Sequence, residues 1–295
     1  MMFGMHSSNS YTDATDPALV DQFHTLLFDW HTQHRREMPW RNTSDPFLIL
    51  VSEIMLQQTQ VDRVRDRYAI FVERFPTLED LACATLGEVL QLWSGLGYNR
   101  RAKYLFLTAK YIVSDLDGVF PSTPEELLRL PGVGLSTMGA LSAFSFGADT
   151  PMIDTNIRRV LHRVFFSERT LPSDRQLYDF ASSIIPVGNG REWNYAMLDC
   201  AAMVCTARHH SSQCPLMALH GEILDVPRKT VSVPFMGSRR FYRGKILASL
   251  ARQHALTIRE IQRELHMDPT LVKSILDDLS QEGMISIRGE KIVLP

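Results

Sequence analysis

Apolar residues recur at helical spacing through most of the chain. Leu86, Val89, Leu90 and Trp93 fall at i, i+3, i+4 and i+7; Ala102, Leu105, Ala109, Ile112 and Val113 repeat the pattern, and Ile157, Val160 and Leu161 begin it again. Asp45-Pro46, Phe75-Pro76-Thr77, Phe120-Pro121-Ser122 and Pro131-Gly132 mark where such helices start and stop. No convincing alternating strand occurs before residue 225, so residues 18–225 are predicted to form one mainly α domain of short helices. Residues 1–17, rich in Ser, Thr, Asn and Asp, are predicted to be disordered. Residues 226–243, broken by Pro227, Pro234 and Gly237, read as a basic linker. Beyond it, residues 246–254, 258–265 and 269–280 carry helical periodicity, with Asp268 a natural N-cap before Pro269. Residues 284–287 and 291–294 flank the turn Arg288-Gly289-Glu290 as a β-hairpin would. Three helices and a hairpin give residues 244–295 the order of a small winged helix-turn-helix domain.

Composition narrows the class without naming a function. A chain of 295 residues, 45% hydrophobic and 22% charged, is ordinary for a globular protein and long enough for two domains. No run approaches the roughly 20 apolar residues of a membrane span, and the first residues lack an apolar signal core, so a cytoplasmic protein with no membrane partner is expected. Four cysteines in such a chain are expected to be thiols or metal ligands rather than disulfides. Charge is uneven. Residues 226–295 hold 12 Lys and Arg against 7 Asp and Glu, while the first 225 hold 19 against 26. A basic tail on an acidic body suggests a polyanionic partner, with Arg259, Arg263 and Lys273 as phosphate contacts.

Two segments carry chemistry. In Leu130-Pro131-Gly132-Val133-Gly134, two glycines around a small apolar residue permit a tight hairpin with positive φ. They leave backbone N–H groups at the next helix start open to a phosphate. A helix-hairpin-helix element grips DNA in this way without reading its sequence. Twenty residues after Gly134, Asp154 opens the amphipathic run Thr155-Asn156-Ile157-Arg158-Arg159-Val160, where N-capping is the plain reading.

The hairpin followed by this aspartate resembles the helix-hairpin-helix base-excision DNA glycosylases. Pro39-Trp40-Arg41, Asp45-Pro46-Phe47 and the run from Val51 through Glu53, Gln57, Gln58 and Thr59 to Val61 resemble the MutY-type adenine DNA glycosylases in particular. So do Phe75-Pro76-Thr77, Leu92-Trp93-Ser94-Gly95-Leu96-Gly97-Tyr98 and Ala196-Met197-Leu198-Asp199. The resemblance covers about residues 20 to 220. It implies a hydrolase that removes adenine mispaired with 8-oxoguanine or guanine, acting on double-stranded DNA as a monomer.

Breaking a deoxyadenosine glycosidic bond leaves positive charge on the sugar, which suits one protonated and one ionised carboxyl group. By resemblance Glu53 is the general acid and Asp154 the anionic stabiliser, with Asn156 orienting water or Asp154. The apolar neighbours of Glu53 favour its proton-bearing form. A base attacked this way must leave the stack. Gln58 and Tyr98 match positions that wedge into the duplex, with Gln57 alongside, and Thr59 matches one that meets the opposite strand. Trp40 and Arg41 match positions near the adenine pocket. Ser136 stands where endonuclease III has its Schiff-base lysine, so a monofunctional enzyme leaving an abasic site is expected.

Two departures from the family stand out. Typical members bind a 4Fe-4S cluster through C-x6-C-x2-C-x5-C. Here only Cys205 and Cys214 match; Ser211 or Ser212 holds the second position and His220 the fourth, so no cluster is expected. Cys200 reads as a core residue. Cys205, His209 or His210, Cys214 and His220 could offer zinc a two-sulfur, two-nitrogen set, but at no standard finger spacing. The usual C-terminal domain that recognises 8-oxoguanine is replaced by the linker and winged helix, whose Arg239, Arg240 and Arg243 alternate with Phe241 and Tyr242 and suit DNA contact. Asn99 stands where the family usually has a second tyrosine. The rival readings are a thymine or uracil mismatch glycosylase and a non-catalytic DNA-binding regulator.

Overall fold

The computed structural model describes residues 16–166, 172–207, 211–219 and 235–295. Helices dominate them: α1 (Pro17–His34), α2 (Pro46–Leu56), α3 (Val61–Arg74), α4 (Leu78–Cys83), α5 (Leu86–Leu92), α6 (Arg100–Asp115), α7 (Pro124–Leu127), α8 (Leu135–Phe146), α9 (Thr155–Phe165), α10 (Asp174–Ile184), α11 (Gly190–Met203), α12 (Arg239–Gln253), α13 (Ile258–Leu265) and α14 (Pro269–Gln281). Their starts follow from local chemistry. Asp45 accepts from the N–H groups of Phe47 and Leu48 with Pro46 as first helical residue, and Asp268 does the same for Thr270 and Leu271 ahead of Pro269. Thr77 and Thr85 open α4 and α5 with reciprocal capping boxes.

The chain divides into two compact units, each built from two stretches of sequence. Met1–Ser44 with Gly134–Arg228 make the first; Asp45–Val133 with Lys229–Pro295 make the second. In the first, α1, α8 and α9 pack on α11, and the rings of Phe23, Phe165 and Phe180 meet edge to face. Gly139, inside α8, lets the segment before α9 come close: a Cβ there would sit 2.2 Å from the Pro151 carbonyl oxygen.

In the second unit α2, α4 and α5 pack on α6, and α12 packs on α5. The C-terminal stretch runs α12, β1 (Ala255–Thr257), α13, α14, β2 (Ser286–Arg288), β3 (Lys291–Val293). Its antiparallel sheet has the order β1-β3-β2, with Leu256 and Ile287 both opposite Ile292. Ile246, Leu250, Ile261, Val272, Ile275, Leu279 and Ile292 fill its core. That is the order of elements predicted for a winged helix, with β1 added. One boundary is corrected: residues 239–243, assigned to the linker, are the first turn of α12, which Ser238 caps by accepting from the Phe241 N–H. Of the rest of that linker, residues 226–234 lie outside the described residues, as do residues 1–15.

Candidate active site

Glu53 lies on α2 in the second unit and is 7% exposed, among Ile49, Leu50, Val51, Ile54 and Met55, all buried. The helix ends one turn later in a loop that carries half-buried Gln57, exposed Gln58 and half-buried Thr59. Gln58 has φ +55°, and Tyr98, in the loop before α6, has φ +49°. Left-handed backbone is uncommon for side chains of this size and gathers at functional sites. Both residues matched as DNA wedges are therefore held in conformations that local propensity disfavours.

Arg101 holds them there. It is 8% exposed, on the first turn of α6, and its guanidinium donates to the carbonyls of Ile54, Met55 and Gln57, to the Thr59 hydroxyl, and to the carbonyls of Leu96 and Gly97. These include carbonyls at the end of α2 left without intrahelical partners. Its plane also lies over Trp93 and Tyr98, 5.5 and 5.4 Å from the ring centroids. Burial lowers its pKa to about 10. Sequence reasoning missed Arg101: its acceptors are mostly backbone oxygens, which leave no mark on residue types.

Asp154 lies in the first unit and is the N-cap of α9. Its Oδ1 accepts from the Asn156 and Ile157 N–H groups at 2.8 and 2.7 Å, and its Oδ2 from Asn156 Nδ2 at 2.7 Å. N-cap and candidate site residue thus coincide. Asn156 Oδ1 accepts in turn from Arg159, which also donates to the carbonyls of Cys205 and Ala201. Asn194, fully buried on α11, accepts from the Met152 N–H and donates to the Thr150 carbonyl. It fixes the segment that delivers Asp154, and the sequence signalled it only as a polar residue within an apolar stretch.

The hairpin before α8 is corrected in one respect. Gly132 has φ +79°, and a Cβ there would lie 2.8 Å from Tyr104 Cβ, so only glycine fits. Gly134 instead has φ −104° with extended ψ, a conformation open to any residue, and nothing lies within 4 Å of its would-be Cβ. Its value is open space at a helix start. Val133 is buried, and Ser136 is half-exposed in the first turn of α8.

Trp40 and Arg41 occupy a 3-10 turn, Pro39–Arg41, and are 5% and 6% exposed. Arg41 grips Asp199 with two parallel bonds of 2.7 and 2.8 Å, donates to the Arg36 carbonyl and lies 4.4 Å from the Tyr195 ring centroid. Asp199, fully buried, also accepts from Arg36 and His31. Burial pushes its carboxyl up, but the hydrogen bonds from His31 and Arg41 outweigh this and hold it below the usual carboxylate range. Burial likewise disfavours charged His31, yet bonds to Asp199 and Glu192 raise it above the ordinary histidine value. Arg41 thus ties the Pro39–Arg41 turn to α11 through Asp199 and Tyr195.

On α12, Arg239 pairs with Asp278 at 2.6 Å and Arg243 with Glu282 at 2.6 Å, both holding that helix to the end of α14. Arg240 instead donates to the Tyr98 hydroxyl at 2.6 Å. Arg259, Arg263 and Lys273 are exposed.

Cys200, Cys205 and Cys214 are buried together. The Cys214 thiol hydrogen-bonds with those of Cys200 and Cys205, and the bond to Cys200, with burial, pushes its pKa up to about 11. Arg163 Nη1 lies 3.1 Å from Cys205 Sγ. Among the described residues no group of three or more His, Cys, Asp or Glu is arranged to hold a metal ion. His209, His210 and His220 of the alternative zinc set lie outside the described residues. No described helix is long and apolar enough to cross a membrane.

Residues 51–186 match the HhH-GPD superfamily of base excision DNA repair proteins. The chain is 35% identical over 267 residues to an adenine DNA glycosylase of Mycolicibacterium smegmatis, covering 88% of this chain and 91% of that protein. It is 38% identical over 230 residues to a human adenine DNA glycosylase, covering 72% of this chain but only 41% of that one. Among solved structures, a thermostable thymine-DNA glycosylase aligns with TM-score 0.66 and 29% identity over 70% of this chain and 96% of its own. An endonuclease III–DNA complex aligns with TM-score 0.61 at 22% identity over 69% and 95%, a likeness of fold.

Proposed function

The chain belongs to the HhH-GPD superfamily of base excision DNA repair proteins, and from that premise we infer that it is an adenine DNA glycosylase. It hydrolyses the N-glycosidic bond of a mispaired adenine in double-stranded DNA and leaves an abasic site. The observation that carries the reading is Glu53: a carboxyl group 7% exposed in a helix whose only other polar side chain is Ser52, one turn before a loop that presents Gln58 in a left-handed conformation.

In the proposed mechanism the adenine is extruded while Gln58 and Tyr98 fill the vacancy, with Gln57 and Thr59 alongside. Glu53 gives its proton to a ring nitrogen of the base, the C1′–N9 bond breaks, and its electron pair leaves with the adenine. The sugar's positive charge faces the carboxylate of Asp154, and water then adds at C1′ and gives up a proton to the Glu53 carboxylate, which restores the acid. The three N–H donors on Asp154 support this role, because a carboxylate already fixed needs no reorganisation when charge develops. Asn156 holds its outer oxygen. Gly132, Val133 and Gly134 would meet a phosphate, and Trp40 and Ser136 border the base. The opposite base is 8-oxoguanine or guanine, and the protein acts as a cytoplasmic monomer.

The reading includes no iron-sulfur cluster: Cys205 and Cys214 supply two of four ligands, and Ser211 or Ser212 stands at a third position. It includes no lyase step, since Ser136 offers no amine for an imine.

Glu53→Gln tests the assignment. Release of adenine from an adenine:8-oxoguanine duplex should fall by orders of magnitude while the duplex remains bound; equal rates in variant and wild type would end it. A second reading has its own support, because a thymine/uracil-DNA glycosylase of Methanothermobacter thermautotrophicus is 32% identical over 90% of its length. A panel of duplexes, each with one candidate mispair, separates the two. Release of thymine or uracil, but not adenine, would select the second.

A further inference from the structure

The second unit contains a groove of about 1150 Å³, with Gln57, Gln58 and Tyr98 on one side and α12 on the other. That volume lies above the range of about 300–1,000 Å³ common for small-molecule sites, and suits a stretch of polymer. Seven cationic side chains line it against two carboxylates. Both carboxylates are engaged: Asp278 by Arg239, and Glu282 by Arg100 and Arg243.

Arg240 differs from its neighbours. Among the described residues no carboxylate pairs with it. Its guanidinium lies 4.9 Å from the centroid of Tyr98 and 5.2 Å from that of Phe235, and one N–H is bonded to the Tyr98 hydroxyl. A guanidinium carries five N–H donors in a rigid planar fork, so most remain for a ligand. Rings against its plane leave the edge of the fork as the open recognition surface. An edge of that kind is matched by two adjacent acceptors in one plane, as on the O6 and N7 positions of guanine.

We propose that Arg240 is a specificity-determining residue which, seated against Tyr98 and Phe235, reads the edge of one unstacked keto-purine base of a DNA strand in this groove. This rests on the glycosylase reading, in which the base is the one facing the excised adenine. Oxidation to 8-oxoguanine puts a hydrogen on N7, so the fork then finds a single acceptor at O6. On the same major-groove edge cytosine presents an amino donor, which repels it. Arg240 therefore favours guanine most, 8-oxoguanine less and cytosine least.

The test uses the full chain and duplexes that carry an unhydrolysable 2′-fluoro-2′-deoxyadenosine opposite guanine, 8-oxoguanine or cytosine, with Kd read by fluorescence anisotropy across a salt series. Arg240→Ala should weaken binding opposite guanine on the order of tenfold or more, opposite 8-oxoguanine by less, and opposite cytosine by under about threefold. The salt slope should stay unchanged. Arg240→Lys, which keeps charge but loses the fork, should behave like the alanine variant. A uniform loss across the panel with a salt slope lower by about one would make Arg240 a phosphate contact and overturn the proposal. Unchanged Kd values would overturn it too. Adenine release by the wild type, measured on ordinary duplexes, is read separately: its absence from every duplex defeats the glycosylase reading, whatever Arg240 does to the binding spread.

Discussion

Arg41 and Arg101 are both shut away from solvent, one in each compact unit, and they are satisfied in opposite ways. Arg41 faces a buried carboxylate that takes two of its donors, so charge meets charge. Arg101 faces only neutral oxygens, five carbonyls and a hydroxyl, and keeps an uncancelled positive charge beside the groove. The first arrangement fixes a fold. The second fixes a fold and also leaves a field for a polyanion, with the desolvation cost visible in a lowered pKa.

The comparison is broken most severely at Asp199. Asp199→Asn leaves Arg41, Arg36 and His31 around a neutral group, and should cost about 3–5 kcal/mol, as loss of one partner from a buried pair does. Denaturant melts check it; a loss under about 1 kcal/mol would mean water replaces the carboxylate. Arg101→Met comes next. It removes donors from several buried carbonyls, at about 1–3 kcal/mol for groups left unsatisfied. Because Arg101 also holds the loops bearing Gln58 and Tyr98, DNA affinity should fall with stability in this variant, whereas loss at Asp199 should lower stability first.

A smaller effect is set by pH. His31 has a raised native pKa, so its contribution is complete below its ordinary value of about 6.5 and fades as pH climbs through the native one. The depressed Asp199 contributes fully above about 3.9, the ordinary aspartate value, and loses its share as pH falls through the native one. The difference in Tm between wild type and His31→Gln should thus be largest between about pH 4 and 6.5 and shrink on the alkaline side. A difference that failed to shrink as pH rises above about 6.5 would remove His31 from the network. Smallest is Gln58→Gly, which relieves left-handed strain and should leave stability unchanged or raise it by up to about 1 kcal/mol. Base release should nevertheless fall, because the side chain proposed as a wedge is gone.

What could be read in advance follows the range of each interaction. The caps at Asp45, Asp154 and Asp268 were legible because each bonds to N–H groups two or three residues away. Gly132 was legible for its turn, while Gly134 was given the same conformation and takes another. The start of α12 was missed because the three arginines of residues 239–243 break up the apolar periodicity around Phe241 and Tyr242, and the ion pairs of Arg239 and Arg243 lie with Asp278 and Glu282, far along the chain. Strand β1 was missed because three residues make a strand only through β3. The Arg41–Asp199 pair spans 158 positions, and nothing in either neighbourhood announces the other.

Each compact unit is assembled from an early and a late stretch of chain, and this matters when the polypeptide is made. Helices α2 to α7 leave the ribosome well before α12, which packs on α5, and before Leu294, whose Cβ lies 3.4 Å from a would-be Cβ on Gly87. At about 5–20 residues per second, translation of residues 134–228 holds that half-built surface open for roughly 5–20 s. Newly made chains that stall in this interval would expose apolar helix faces to chaperones and to each other, and a stop codon just before α12 should yield aggregates instead of a smaller working protein.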